Sequence, residues 1–220
     1  MTRASDRAYA AIKDLIQRGA IPPGDLIDET ETARRLGISR TPVREALLRL
    51  QTESFVEIGR GKGIRVLPLS SAALREMYQV ISGLEVTAVS LIVRRGPSSG
   101  ELDGLRAALS AMDAAIAAGD VGAWGEADET FHRELMRLSG NRKLHEVGCQ
   151  MRDFVLRAHR VALRLQTPEY RAASTRSHSG LIAVLLGGDA EAAAQRHQHQ
   201  RLRGEEALIG VVDRFQIASL

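Results

Sequence analysis

Apolar residues recur along this chain at helical spacing, and glycine and proline interrupt them at short intervals. Tyr9, Ile12 and Ile16 share one helical face, and the segment stops at Gly19 before IPPGD, where two prolines and a glycine enforce a turn. Residues 29–36 read as a short second helix ended by Gly37, a residue suited to the left-handed position after a helix. Ser39 is placed to cap a third helix that runs to about Thr52. Pro42 is tolerated in its first turn because its missing N–H had no helical partner there, and Val43, Ala46, Leu47 and Leu50 form its apolar stripe. FVEI at 55–58 and IRV at 64–66 are short β-prone runs joined by GRGKG at 59–63, which predicts a β-hairpin with a basic, glycine-rich tip.

After Ser70 the pattern is helical throughout. Breaks at Gly96-Pro97, Gly119-Asp120, Gly140-Asn141, Gln166-Thr167-Pro168 and Gly187-Gly188-Asp189 define six helices, beginning near Ser71, Ser98, Asp120, Asn141, Thr167 and Asp189. Thr167 and Pro168 pair an N-cap with proline at the next position. Short connections between long helices predict antiparallel neighbours. The expected fold is mostly α: a winged helix-turn-helix with a small β-hairpin over residues 1–68, then an antiparallel six-helix bundle over 69–220. Aromatics at 4% fit helices better than a β-sandwich, and the single cysteine, Cys149, excludes a disulfide framework or a CxxC metal site. No apolar run approaches the ~20 residues that span a bilayer, and the N-terminus lacks the apolar core of a secretion signal, so a cytoplasmic protein is expected.

Charge separates the two regions. The net charge is only +3, but residues 1–68 hold 12 Lys+Arg against 9 Asp+Glu, whereas the remainder holds 18 of each. Residues 32–66 alone carry 8 basic and 3 acidic groups, a surface suited to a polyanion. On the third helix Arg40, Thr41 and Arg44 point outward, with Arg40 and Arg44 one turn apart. Arginine makes bidentate contacts to guanine edges and also binds phosphate, so this helix suits the major groove, with the hairpin lying along the backbone or minor groove.

All six histidines fall after residue 68. Trp124, Asp128, Phe131, His132 and Leu135 form one stripe of the third bundle helix, and His178 lies with Leu181, Ile182 and Leu185 on the fifth. In the sixth, the expected inward stripe is Ala193, His197, Gln200, Gly204, Leu208, Val211 and Phe215, with His199 on the polar face. A buried Asp–His pair is one reading of these groups. A divalent-metal site is the other, because two histidines and a carboxylate hold a metal and leave positions open.

The run IPPGDLIDETETARRLGISRTPVREALLRLQTESFVEIGRGKGIRV resembles the DNA-binding domain of the GntR superfamily of bacterial transcription regulators, with SRTPVREAL its most specific portion. The resemblance implies Arg35, Arg40, Arg44 and Arg49 as DNA contacts, with Lys62 and Gly63 at the wing tip. Two positions depart from the family pattern, Thr32 in place of leucine and Ser54 in place of the glycine before the hairpin. YQVISGLE, DETFHREL, SGN and HSGLIAVLLGGDAEAAAQ similarly resemble the FCD ligand-binding domain of the FadR subfamily. That resemblance implies a small organic acid as effector and, in many members, a divalent metal such as zinc, nickel or manganese on an Asp and three His. Asp128, His132 and His178 match three ligands, and Gln200 stands in the fourth position, with His197 one turn earlier as its alternative. Ile81 replaces an arginine common in the family's first bundle helix.

The expected function is sequence-specific regulation of transcription by a homodimer that binds a near-palindromic double-stranded operator and responds to a carboxylate effector. A metal-dependent hydrolytic enzyme is the rival reading. It lacks an inward glutamate in an HExxH-like arrangement and leaves the N-terminal motif without a role. A nonspecific DNA-compacting protein fits poorly with the electrically neutral remainder of the chain.

Overall fold

The computed structural model describes residues 3–59, 63–68 and 70–214. The chain forms two compact units, one chiefly of residues up to Ser70 together with Leu156–Ala158, the other of Ser71–Val155 and the described residues from His159 onward.

The N-terminal unit runs α1 (Ala4–Gln17), β1 (Leu26–Ile27), α2 (Glu29–Leu36), α3 (Arg40–Thr52), β2 (Val56–Gly59) and β3 (Gly63–Val66). Ala8, Ile12 and Ile16 of α1 and Val43, Ala46, Leu47 and Leu50 of α3 are buried where the two helices pack. Tyr9 was expected in this stripe and lies only half-buried. Its hydroxyl donates to Glu53 and accepts from Lys13, which is itself buried and donates to Glu53 at 2.9 Å. The phenol is thus part of a polar clasp between α1 and the end of α3. Asp28 caps α2 by accepting from the Glu31 N–H, and Gly37 ends it at φ 64°, as its sequence suggested. Ser39 occupies the N-cap of α3, but its side chain makes no capping hydrogen bond. Pro42 sits three residues on and has no N–H, so the donor that a serine cap commonly takes is missing.

The hairpin is present, with Val56 paired to Val66 and Ile58 to Ile64. A third strand was not anticipated: Leu26–Ile27 pairs antiparallel with β3, giving the order β1-β3-β2. Two residues carry no periodicity, so only the tertiary partner reveals this strand. Ser54 has φ 60°, the one positive value at a non-glycine residue among those described, at the place where the family pattern has glycine. An L-residue in that region carries about 1–2 kcal/mol of strain that glycine escapes. Ser54→Gly should therefore stabilise the N-terminal unit by roughly 1 kcal/mol, read as a higher denaturant midpoint with an unchanged m-value.

The C-terminal unit contains α4 (Ser71–Arg95), α5 (Asp103–Ala118), α6 (Val121–Leu138), α7 (Arg142–Leu165), α8 (Pro168–Leu185) and α9 (Ala190–Arg214). The helices fall where the breakers placed them, except that Ser98 opens a capped 3-10 turn, Ser99–Leu102, ahead of α5. Asp120, Asn141 and Thr167 cap α6, α7 and α8 through their side chains. α4 packs along α9 and α6, and α5 along α6 and α8. Their core includes Val89, Ile92, Leu105, Met112, Phe131, Leu135, Leu181 and Leu185. Contrary to the sequence reading, α4 is long and apolar enough to cross a membrane by length and composition alone. Here it serves as a core helix, with Leu74, Tyr78, Ile81, Glu85, Ala88, Val89 and Ile92 buried.

On α9 the expected stripe is partly rotated. Ala193, His197 and Leu208 are buried as anticipated, but Arg201, Glu205, Ile209 and Val212 fill the other buried positions, and Gln200, Gly204 and Val211 lie at its edge. Phe215 is outside the described residues. The displacement has a chemical origin: a buried carboxylate on α4 draws Arg201 inward.

Candidate DNA-reading face and effector cavity

The exposed face of α3 carries Arg40, Thr41 and Arg44. Arg40 reaches Glu29 at 3.2 Å and Arg35 bonds Glu31 at 2.8 Å, both at the surface. Exposed pairs of this kind are worth at most about 1 kcal/mol, so either guanidinium exchanges its partner for phosphate at little cost. Arg49 lies over the Tyr9 ring at 3.7 Å and beside Glu53 and Asp6, so it contributes to the α1–α3 clasp as well. Arg44 makes no ion pair with a described residue and is the most available of the four. Gly63 opens β3 at φ 79°, and Lys62 lies outside the described residues.

In the C-terminal unit, α4, α6, α7, α8 and α9 each send a polar side chain into an otherwise apolar interior. The centre is Glu85, which sequence reasoning missed as a functional group and which is fully buried. Its Oε1 accepts from Arg152 at 2.8 Å, while Oε2 accepts from His132 Nδ1 at 2.9 Å and His197 Nε2 at 3.0 Å, with Arg201 Nε at 3.4 Å. Arg152 uses its remaining donors on Glu129. Burial alone would raise the Glu85 carboxyl, but Arg201, His132 and His197 together hold it well below the ordinary carboxylate range. Glu129 is likewise opposed by burial and brought down to about 2 by Arg152. Burial lowers His132 to about 3 and His159 to about 4, against the opposing pull of the carboxylates, so both imidazoles are neutral at pH 7.

An ionised carboxylate only accepts hydrogen bonds, so the proton of neutral His132 sits on Nδ1, facing Glu85. Nε2 is thereby left as a lone pair, 3.8 Å from Asp128. His178 Nε2 lies 2.8 Å from the other oxygen of Asp128, and Gln200 holds His178 Nδ1. Burial would raise Asp128, but His132 and His178 keep it below its ordinary range. Asp128, His132 and His178, the three residues expected together, present ligand atoms within 4.8 Å of one another. His197 is not brought to them. It belongs with Glu85 and His132, and the two buried guanidinium groups beside Glu85 make that second cluster unsuited to a cation.

These groups border a cavity of about 520 Å³ whose walls include Tyr78, Trp124, Leu163 and Tyr170 and whose polar lining includes Asp128, His132, His178, Gln200 and Arg201. No glutamate stands in an HExxH-like arrangement with the cluster, as the sequence reading expected, but Glu85 of α4 lies beside it. Its four buried partners occupy the lone pairs that a general base needs.

Three helices leading into a three-stranded wing, and a helical bundle enclosing a polar cavity, define a DNA-binding regulator with a ligand-sensing domain. The model of the gntR family of bacterial regulatory proteins matches residues 4–66, and that of the FCD domain matches residues 76–201. A regulator from the TAR-I ttuE-ttuC' intergenic region of Agrobacterium vitis is 44% identical over 131 residues, 59% of this chain and 77% of that protein. The transcriptional repressor GlaR of Escherichia coli K12 is 28% identical over 205 residues, 90% of this chain and 93% of its own. Among solved structures, E. coli McbR/YncC superposes with a TM-score of 0.81 over 98% of this chain and 100% of that one, at 21% identity.

The chain belongs to the GntR family of transcription regulators, with a DNA-binding helix-turn-helix and an effector-binding FCD domain. It is a regulator and not an enzyme.

Proposed function

We propose that the protein acts in the cytoplasm as a homodimer of the FadR subfamily, with residues 1–68 reading DNA and 69–220 sensing the effector and dimerising. In this reading Arg44, Arg40 and Thr41 meet base edges of a near-palindromic operator, while Arg35, Arg49, Lys62 and Gly63 hold its backbone. The effector is a carboxylate bound beside a divalent metal on Asp128, His132 and His178. Linkage then follows: if effector and operator favour different states of the dimer, each alters the affinity of the other by the same factor.

One observation carries the metal assignment. Glu85 accepts a hydrogen bond from His132 Nδ1–H, which leaves Nε2 unprotonated toward Asp128, the carboxylate–histidine arrangement that orients a metal ligand. A zinc, nickel or manganese ion would supply positive charge toward a carboxylate effector. Gln200 supports His178 from behind, and His197 remains with Glu85, so the chain provides three ligands and other positions stay open to the effector.

The metal reading is tested by calorimetry on chelator-stripped protein. Zinc should bind with a measurable heat and should raise stability by about 2.7 kcal/mol at a free concentration one hundred times Kd. Both effects should vanish in His132→Ala/His178→Ala. No binding at millimolar metal would overturn the assignment.

A further inference from the structure

Among the described residues two arginines are buried in the C-terminal unit, and they differ in one respect. Arg152 is 1% exposed, and its Nε, Nη1 and Nη2 all donate to Glu129 or Glu85. Arg201 is 5% exposed, with Nε near Glu85 and Ser82 and its guanidinium carbon 5.1 Å from the centre of the Tyr78 ring. Among the described residues its Nη2 is buried without a hydrogen-bond partner, and Arg201, unlike Arg152, lines the cavity. A guanidinium keeps its charge in a protein, and leaving one of its buried donors unpaired costs free energy. The missing partner is an acceptor, and an anion satisfies it best.

The rest of the cavity narrows the choice. Asp128 already lies 2.8 Å from His178 Nε2, and Glu206, the other carboxylate of the lining, is solvent-exposed. Arg203 also lines the cavity but is solvent-exposed, with Ser177 3.4 Å away. Trp124, Leu163 and Tyr170 supply apolar surface on which a ligand body can lie.

We infer that the Arg201 guanidinium is the carboxylate anchor of the cavity, receiving the head of a monocarboxylic acid whose apolar body packs on Trp124, Leu163 and Tyr170. The inference rests on reading this cavity as the effector site. It assigns the head-group contact to a side chain of α9 and requires no metal.

The test is calorimetry on the full-length protein, dialysed free of metal and chelator, with benzoate, hexanoate and their neutral amides as probes. At least one acid should bind tenfold or more tightly than its amide. Arg201→Gln should remove that preference and leave amide binding unchanged, whereas Arg203→Ala should change acid affinity less than threefold. Arg201→Lys keeps the charge but loses the forked donors, so an intermediate affinity is expected; it is the deciding variant if Arg201→Gln does not fold, as judged by Trp124 fluorescence. Acids and amides binding equally, neither acid binding at 10 mM, or folded Arg201 variants binding acid as the wild type does would each overturn the proposal. Operator affinity separates it from the reading beneath it. An acid that binds through Arg201 without changing operator affinity sinks the effector role and leaves the anchor standing. An acid that shifts operator affinity equally in wild type and Arg201→Gln does the reverse.

Discussion

Replacing Glu85 with leucine should destabilise the C-terminal unit by about 3–5 kcal/mol, the cost of stranding buried charge by removing one partner of an ion pair. Arg152 and Arg201 would both lose their shared carboxylate, and His132 and His197 their acceptor. Glu85→Gln keeps the shape and one carbonyl acceptor and should cost less, while still weakening the hold on the His132 tautomer. Urea unfolding followed by Trp124 fluorescence reads this unit alone, because Trp124 is the only tryptophan in the chain and lies in α6. A Glu85→Leu protein within 1 kcal/mol of wild type would mean that the carboxylate does not organise the interior.

Arg44→Ala should weaken operator binding by about 1–3 kcal/mol and relax base preference at one position of each half-site, as expected of a bidentate contact to guanine. Its freedom from any described ion pair makes this the largest single effect expected on the reading face, since no internal partner competes for the side chain. Lys62→Ala should instead weaken all sequences alike, because a wing-tip lysine meets phosphate. Gel-shift titrations against operator and scrambled duplexes distinguish the two patterns. Unchanged affinity and selectivity in Arg40→Ala/Arg44→Ala would remove α3 from the role of recognition helix.

The helices were legible because their signals are local. Gly37, Gly119 and Gly140 stop helices or follow them, and the Trp124–Leu135 and His178–Leu185 stripes face inward as their spacing requires. What escaped was non-local. β1 is two residues long and exists through its pairing with β3. Lys13 is buried because Glu53, forty residues away, accepts from it, and so Tyr9 lost its expected place in the core. Glu85 stood in the YQVISGLE match without an assigned role, since nothing in its own helix announces that Arg152, His132, His197 and Arg201 converge on it from three others. The same convergence rotated the buried face of α9, bringing Arg201 inside and leaving Gln200 at the edge. A charged residue on an apolar helix face was the available signal: Glu85 falls among Tyr78, Ile81, Ala88 and Ile92, and an unpaired carboxylate there would be too costly to keep.

The central claim is that the cavity of the FCD domain and the DNA-reading face are thermodynamically coupled. Fluorescence anisotropy tests it most directly, using a labelled duplex selected by this protein from a random pool and titrated without ligand, with zinc, and with whichever acid binds through Arg201. The account predicts that zinc, the acid or both together change operator Kd at least fivefold, and that the change is lost in His178→Ala for the metal and Arg201→Gln for the acid. Operator affinity that stays the same while both ligands demonstrably occupy the cavity would contradict it.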